Sequence, residues 1–478
     1  MSAMSTQELV VQLLYFTASV LFILGLKGLG NAESARRGMQ YAMVGMLLAV
    51  VGTLVHRDII TYTWIVIGLV IGSAIGTMMG LYIPMTKMPE RIALSHAFGG
   101  LAVALVGVAE FYRHTHEGIA LTTLQMTAVG FEVFLGALTF TGSLMAFGKL
   151  QGLITGAPVT YPAQNALNVA LLTGTVGSIF YLIYAGALSD GAQYLFYGIS
   201  GLGLLLGVLL VLPIGGADMP VVICLLNSYA GLAASATGFA LGNNVLIICG
   251  ALDGGSGFLL GMMMSKAMNR SFSNVLFGAF GSADSTGAPA KTATSSGPAP
   301  NEGTVDDAVE VLQSARSCII IPGYGMAVSQ AQHAVRELAN VLGANGCEVR
   351  YAIHPVAGRM PGHMNVLLAE ANVPYDQLFD LDQINDDFAA TDVALVIGAN
   401  DVVNPAARTN PQSPIYGMPV FNTEQSRTVI VLKRSLNPGF AGIENELFVK
   451  PNTMMVLGDA KKTIQSFTNG LKGTKAMH

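Results

Sequence analysis

The apolar run Cys318-Ile319-Ile320-Ile321 leads directly into Pro322-Gly323-Tyr324-Gly325-Met326-Ala327-Val328. A strand that ends in closely spaced glycines and opens a helix suits a tight turn. It also lets backbone N–H groups approach a pyrophosphate at the helix N-terminus. The third glycine of the usual fingerprint is Val328 here, so the fingerprint is incomplete. A second strand end reads Ile397-Gly398-Ala399-Asn400-Asp401-Val402. Its Asn–Asp pair suits either a turn or contacts to a ribose and a nicotinamide amide. A third strand, Thr428–Leu432, runs into Lys433-Arg434-Ser435. Two cations and a hydroxyl at such a position suit a 2′-phosphate, which Arg can grip with two parallel hydrogen bonds. The bland alternative is a solvated basic pair. NAD sites usually place an acid at the end of the second strand. Here that strand ends Ala352-Ile353-His354-Pro355, without one, which favours NADP over NAD.

A second group of reactive residues lies in strongly apolar sequence. His96 stands in Ser95-His96-Ala97-Phe98-Gly99-Gly100, and Asp218 precedes Asn227 and Ser228. An ionisable side chain at the centre of a bilayer costs at least about 2.5 kcal/mol, so each is a functional candidate. Histidine takes up and releases protons near neutral pH. A membrane histidine can equally serve as a packing hydrogen bonder, and Asp218 can serve as a helix N-cap. Nine residues place Asp218 and Asn227 about 13 Å apart along a helix. Glu132 and Asp253 are expected near helix ends, where charge is tolerated.

The elements that position these residues fall into two parts. The chain has 478 residues, 52% hydrophobic and 11% charged, against about 25% charged in soluble domains. Nine apolar stretches are long enough to span a bilayer, at 7–26, 38–55, 59–83, 92–112, 121–146, 167–188, 193–212, 219–240 and 244–266. Gly68, Gly72, Gly76 and Gly80 recur at four-residue spacing, a pattern that lets helix backbones approach closely. An odd number of spans puts the termini on opposite sides. With a cytoplasmic C-terminus the inner loops hold Lys27, Arg36, Arg37, Lys87, Arg91, Lys149, Lys266 and Arg270, and the outer loops only Arg57 and Arg113. Most acids follow residue 300, so the net charge of −5 belongs mainly to the soluble part, and nothing basic enough to bind nucleic acid is present. Cys224, Cys249, Cys318 and Cys347 show no metal or disulfide spacing.

Residues 281–303 are rich in Ser, Ala, Gly and Pro and read as a flexible tether. Beyond it, strand and helix signals alternate. A helix starts at Thr304, and strand Ser317–Ile321 is followed by one helix over Met326–Leu342. Strand Glu348–Ile353, a helix near Gly362–Ala371, strand Val393–Ile397, a short strand Pro419–Phe421, strand Val429–Leu432 and a helix from Asp459 to Leu471 follow. Such alternation predicts an α/β, Rossmann-like domain with a parallel sheet. The domain plan is a polytopic α-helical membrane domain over 1–270, a linker over 271–303 and the α/β domain over 304–478.

Several motifs together resemble one family. Gly323–Gln332, His354–Glu370, Gly398–Ala407, Lys433–Ser435 with Gly439–Gly442, and Leu457–Lys462 are similar to the NADP(H)-binding domain of proton-translocating nicotinamide nucleotide transhydrogenase. Ser95–Leu101, Ala217–Gly231 and Lys266–Phe272 are similar to its membrane domain. The match is to the separate bacterial beta subunit, since an NAD(H)-binding domain is absent. The resemblance implies hydride transfer from NADH on an alpha subunit to NADP⁺ held here, coupled to inward proton movement. It places His96 and Asn227 in the proton path, Asp218 near its cytoplasmic end and Asp401 by the nicotinamide. It puts Gly323, Tyr324, Gly325, Met326, Ala327 and Val328 around NADP(H), with the loop Val356, Ala357, Gly358, Arg359, Met360, Pro361 and Gly362. Gly398, Ala399, Asn400, Val402, Gly417, Met418, Lys433, Arg434, Ser435, Gly439, Asp459 and Ala460 complete the shell. Phe440 stands where the family's lid commonly carries Tyr, and Asp253 where an apolar residue is common. No metal is implied. The resemblance further implies a bacterial inner-membrane location, a periplasmic N-terminus, a cytoplasmic nucleotide domain and a dimer of alpha–beta units. A transporter or channel gated by an NADP(H)-sensing domain is the alternative. A membrane NADPH oxidoreductase delivering electrons to quinone or haem is a second alternative, requiring paired in-span histidines for haem or a flavin site. His96, His114 and His116 do not provide two in-span pairs, which argues against haem.

Overall fold

Runs of Leu, Val, Ile, Ala and Gly with few charges can satisfy their backbone in a bilayer only as helices. Among the described residues nine helices are long and apolar enough to cross a membrane. They are α1 Thr6–Leu29, α2 Ala32–Leu54, α3 Thr63–Tyr82, α4 Met88–Glu117, α5 Thr123–Gln151, α6 Gln164–Ala185, α7 Ala192–Val211, α8 Met219–Leu241 and α9 Asn244–Ala267. The computed structural model describes residues 5–30, 32–55, 61–84, 87–156, 158–215, 218–268, 300–360, 362–413, 415–439 and 441–475. Pro361, Phe440, Arg57, Arg270 and most of the tether lie outside the described residues. The chain forms two units, an α-helical one holding 1–215 and 222–261 and a second whose α/β part is described from residue 300.

In the helical unit α5 is central. Eighteen of its residues are buried, and small residues set how closely its neighbours approach. A Cβ on Gly100 of α4 would stand 2.8 Å from the Gly136 carbonyl of α5. Thr141 of α5 donates to the Leu204 carbonyl of α7 at 2.7 Å. The Lys149 ammonium donates to the Leu212 and Ile214 carbonyls at 2.5 and 2.7 Å, satisfying acceptors just past the end of α7. Helices α8 and α9 meet through Gly231, Gly238, Gly250, Gly254 and Gly257, where any side chain would strike the facing helix. Ser228 and Ser235 then donate across the seam to Gly254 and Ile247 carbonyls, at 2.8 and 3.1 Å. The glycine stripe of α3 plays no part in this packing. Nothing lies within 4 Å of where Cβ atoms on Gly68, Gly72, Gly76 or Gly80 would be, and α3 has no buried residue.

The second unit is built on six parallel strands in the order β3-β2-β1-β4-β5-β6. These are β1 Ser317–Pro322, β2 Glu348–Ile353, β3 Leu378–Asp380, β4 Val393–Ile397, β5 Thr428–Lys433 and β6 Thr453–Leu457. Strands β1, β4 and β5 are almost wholly buried because they are continuous runs of Ile, Val, Ala and Leu. Strand order reverses between β1 and β4, which opens a crevice at their carboxyl ends. Helix α10, Val305–Ser314, starts at a capping box in which Thr304 and Asp307 exchange hydrogen bonds. Helices α11 Tyr324–Val328, α12 Gln332–Ala344, α13 His363–Glu370 and α14 Ala460–Lys475 follow, with single-turn helices at Leu381–Ile384 and Ala406–Thr409.

Four details differ from the sequence reading. The single helix over Met326–Leu342 is two, α11 and α12. Ser329 turns its hydroxyl back onto the Gly325 carbonyl at 2.8 Å, and Gln330 takes a left-handed φ of 50°. Pro419–Phe421 is not a strand, because its backbone groups bond elsewhere. The Pro419 carbonyl accepts from His354, the Val420 carbonyl accepts from Asn385, and the Phe421 N–H donates to Val402. Strands β3 and β6 were not anticipated. Residues 301–303, read as tether, are fixed on the sheet edge, with Glu302 bridging Met455 and the Gly303 N–H donating to the Met455 carbonyl at 3.0 Å.

Replacing Gly231 with Leu should force α8 and α9 apart, costing about 1–3 kcal/mol, and lower the thermal transition of the detergent-solubilised chain. Gly72→Leu should leave that transition unchanged. Equal effects of the two substitutions would contradict the packing described.

Candidate functional site

Three strand-end loops of the α/β unit meet at the crevice, and they meet at backbone level. The Gly323 N–H donates to the Ile397 carbonyl at 2.9 Å, the Gly325 N–H to the Gly398 carbonyl at 3.0 Å, and the Gly398 N–H to the Leu432 carbonyl at 2.9 Å. A Cβ on Gly325 would lie 2.7 Å from the Gly398 Cα, and Gly398 itself has φ +64°. These glycines are therefore required by one another. The Gly323 and Gly325 N–H groups, which the sequence suggested for a pyrophosphate, are already committed to the neighbouring loop.

The loop after β2 is held by two histidines. His354 is buried, its Nε2 lies 2.7 Å from the Pro419 carbonyl, and its Nδ1 accepts the Val356 N–H at 3.2 Å. A ring that accepts at Nδ1 and faces a carbonyl with Nε2 is a neutral Nε2–H tautomer. His363, fully buried, accepts the Arg359 N–H at Nδ1, 3.1 Å away. Burial pushes both rings down to about 4, with the Arg359 charge adding to the effect at His363. Gly358 has φ +108°, and a side chain there would strike the His363 ring. The Arg359 guanidinium lies over the Tyr324 ring, 4.4 Å from its centroid, tying this loop to the one after β1.

The loop after β5 is fastened from below. The Lys433 ammonium donates to the Asn437 carbonyl at 2.8 Å and stands 4.7 Å from the centre of the Phe448 ring. Burial holds its pKa below the usual lysine value, against the opposing pull of the Asp401 carboxylate. Asp401 accepts the Ala441 N–H at 3.1 Å, and Gly439 packs on the same carboxylate closely enough to exclude a Cβ. Arg434 is exposed and makes no hydrogen bond or ion pair among the described residues, which leaves its guanidinium available for an anion. Beneath, Asn445 donates to the Asn400 carbonyl and buried Asn404 to the Glu444 carbonyl, each at 3.0 Å.

The resulting cleft brings together Gly323, Tyr324, Gly325, Val328, Val356, Ala357, Gly358, Arg359, Gly398, Ala399, Asn400, Asp401, Val402, Met418, Lys433, Arg434, Ser435, Gly439, Asp459 and Ala460. Met326, Ala327, Met360, Gly362 and Gly417 stand off it. Met326 and Ala327 are core residues beneath the first loop, and Gly417, at φ +79°, gives its N–H to the Ala407 carbonyl. Asp459 also caps α14, accepting the Lys462 N–H at 3.1 Å. Ser329 and Gly458, inside the motifs Gly323–Gln332 and Leu457–Lys462 but not singled out there, also line the cleft, as does Asn437, which lies outside every motif. For Asn437 and Gly458 a polar residue and a glycine just past strand ends were the available signals. Among the described residues no group of three or more His, Cys, Asp or Glu could hold a metal ion.

The helical unit brings a second set together. His96 lies eight residues into α4 and its ring reaches toward Asn227 of α8. The Asn227 amide is more firmly engaged on its other side, where Nδ2 donates to Asp253 Oδ1 of α9 at 3.0 Å. Gly257 leaves room for that amide, since a Cβ there would stand 2.9 Å from Asn227 Nδ2. Glu132 and Asp253 do not lie near helix ends as expected. Each is nine residues in, Glu132 fully buried against Gly107 of α4. Asp218 directly precedes the first residue of α8.

A bundle of membrane-length helices joined to a doubly wound parallel sheet with a cleft at its switch point defines an integral membrane protein carrying a dinucleotide-type domain. Residues 11–469 match the family model described as NAD(P) transhydrogenase beta subunit. Two Rhodospirillum rubrum proteins, one of them from a designated strain, are described as NAD(P) transhydrogenase subunit beta. Each is 50% identical over 461 residues, covering 96% of this chain and 98% of the relative. The chain belongs to the NAD(P) transhydrogenase beta subunit family, and it is thus a component of an oxidoreductase complex that uses nicotinamide nucleotides.

The histidine latches make the second loop acid-sensitive. Both folded-state pKa values, about 4, lie below the usual 6.5, so the unfolded chain binds more protons between those values. The stabilisation is complete above pH 6.5 and is lost as pH falls toward 4, on the order of 3 kcal/mol for each ring. Hydrogen exchange of residues 354–363, corrected for intrinsic rates, should lose protection across that window, and less steeply in His354→Gln. Protection independent of pH from 7 to 4.5 would contradict this.

Proposed function

We propose that this chain holds NADP(H) in the cleft of its α/β unit and exchanges hydride with NAD(H) on an alpha subunit, coupled to inward proton movement. The reaction is NADH + NADP⁺ + H⁺(outside) ⇌ NAD⁺ + NADPH + H⁺(cytoplasm). The observation that carries the nucleotide reading is the position of Lys433, Arg434 and Ser435 at the rim of a switch-point cleft, with neutral His354 in place of an acid at the end of β2. A 2′-phosphate finds the Arg434 guanidinium beside the Lys433 ammonium there, and no carboxylate at the end of β2 to repel it. Arg359 on Tyr324 supplies a second positive charge for the diphosphate. Asp401, which accepts the Ala441 N–H and packs against Gly439, ties the loop that covers the nucleotide to the loop that cradles it.

No side chain need act as a nucleophile, because hydride transfer requires two nicotinamide rings held in contact and water kept away. The chain's own work is to alternate between a state that exchanges NADP(H) and one that transfers hydride. Protonation at His96, sensed by Asn227, biases that alternation, with Asp218 at the start of α8 on the route to the nucleotide unit. In this reading the protein lies in a bacterial inner membrane with its N-terminus periplasmic and its α/β unit cytoplasmic. It works as a dimer of alpha–beta pairs. A transporter gated by NADP(H) sensing is not favoured for a member of an enzyme family.

Sealed vesicles carrying this chain and its alpha subunit should reduce NADP⁺ with NADH, faster when a proton gradient is imposed. Absence of that reaction with a competent partner would overturn the proposal. Arg434→Ala should raise the KM for NADP⁺ about tenfold or more, the worth of a charged hydrogen bond, without altering the KM for NADH. His96→Ala should lose the response to the gradient, and wild-type pumping by this variant would remove His96 from the path.

A further inference from the structure

The carboxylate of Asp253 bonds the Asn227 amide and has no role in the proposed path. It sits nine residues into the 24-residue α9, about 13 Å along the helix from one end and about 21 Å from the other. An intramembrane carboxylate at that depth is a functional group by default. Among the described residues no Lys or Arg forms an ion pair with it. The groups that face it are few. From α8 the Asn227 amide donates to Oδ1 at 3.0 Å. From α4 the His96 ring neighbours that amide, and its buried Nδ1 has no hydrogen-bond partner among the described residues. On its own helix the Cys249 thiol is within electrostatic reach, and the Ser256 hydroxyl bonds the Asp253 carbonyl rather than its carboxylate, at 3.0 Å. The Asn227 and Asp253 side chains sit at a close-packed seam. Asn227 and Asp253 flank the seam where Gly231 meets Gly254 and where Gly257 makes room for the amide.

We propose that Asp253 is a proton-carrying residue of the membrane path, paired with His96 across Asn227. The inference rests on the reading of His96 and Asn227 as that path. An amide has two donor hydrogens and one acceptor oxygen. With Nδ2–H given to Asp253, the Asn227 oxygen is left to accept the His96 ring N–H, so one side chain registers the charge on both partners. When a proton adds to a carboxylate oxygen of Asp253, the charge there goes from −1 to 0. The Asn227 bond then drops from a charge-assisted to a neutral one, about half as strong. The amide is freed to turn, and its hold on the imidazole changes with it. When the proton leaves, the carboxylate re-forms and the amide is recaptured. The proton released is the proton taken up, and no other bond is made or broken.

The test uses the complete alpha–beta enzyme in sealed vesicles, with wild type, Asp253→Asn and Asp253→Glu. Three quantities are measured: dye-reported proton uptake, the pH profile of gradient-driven NADP⁺ reduction, and NADPH affinity as a check of folding. Asp253→Asn keeps the shape but cannot ionise, and it should slow proton uptake about tenfold or more and shift the pH profile, with NADPH affinity retained. Asp253→Glu should restore most of the uptake with a displaced profile. Wild-type uptake and an unmoved profile in Asp253→Asn would overturn the inference. If Asp253→Asn fails to bind NADPH, Asp253→Glu decides, a displaced profile supporting the inference and an unmoved one overturning it. Wild-type vesicles that reduce NADP⁺ without moving protons would overturn the underlying path itself, an outcome distinguishable from failure at Asp253 alone.

Discussion

Everything in the α/β unit follows from one close approach, the backbone contact of Gly323 and Gly325 with Gly398 and Ala399. A single Cβ at any of the three glycines would wedge apart the loops after β1 and β4. With the loops in contact, the Gly398 N–H reaches β5, and the start of the Lys433 segment is placed with it. The loop after β2 closes the other wall through Arg359 on Tyr324. The cleft is thus a product of backbone packing at the switch point, and its charged residues are carried into position by it.

The helical unit obeys the same constraint in another solvent. Lipid gives helices no hydrophobic reason to associate, so contact depends on small residues and interhelical hydrogen bonds. Gly231, Gly250, Gly254 and Gly257 let α8 and α9 touch, and only that approach puts Asn227 within reach of Asp253. Gly100, Gly107 and Gly136 do the same for α4 and α5, which fixes His96 and buries Glu132. In both units the reactive side chains stand where glycine has allowed two backbones to meet.

Much of this was legible in the sequence. The nine helices could be read because bilayer thickness sets a length that composition cannot disguise. Strands β1, β4 and β5 could be read because buried parallel strands are short, continuous apolar runs, and β2 because Val349, Tyr351 and Ile353 alternate with other residues. Lys433-Arg434-Ser435 and the two loop glycines could be read because they break those runs with residues a strand does not want. Strand β3 is only three residues long and β6 is Met-rich, so neither carries that signal. The break between α11 and α12 depends on the Ser329 hydroxyl and one left-handed residue, neither of which alters helical periodicity. The His354 latch was invisible because the Pro419 carbonyl that holds it lies far along the chain. The glycine spacing of α3 was visible, but spacing shows that a face is small and not which helix meets it.

The central claim is that the cleft selects NADP(H) through the cations after β5. The most direct test is equilibrium titration of the purified full chain, without its alpha subunit, following the change in NADPH fluorescence and its displacement by other nucleotides. NADPH should bind saturably, and NADP⁺ should displace it at least about tenfold more effectively than NAD⁺, the discrimination expected of one charge-assisted phosphate contact. Equal displacement by NAD⁺ and NADP⁺, or no saturable NADPH binding by a folded chain, would contradict the account.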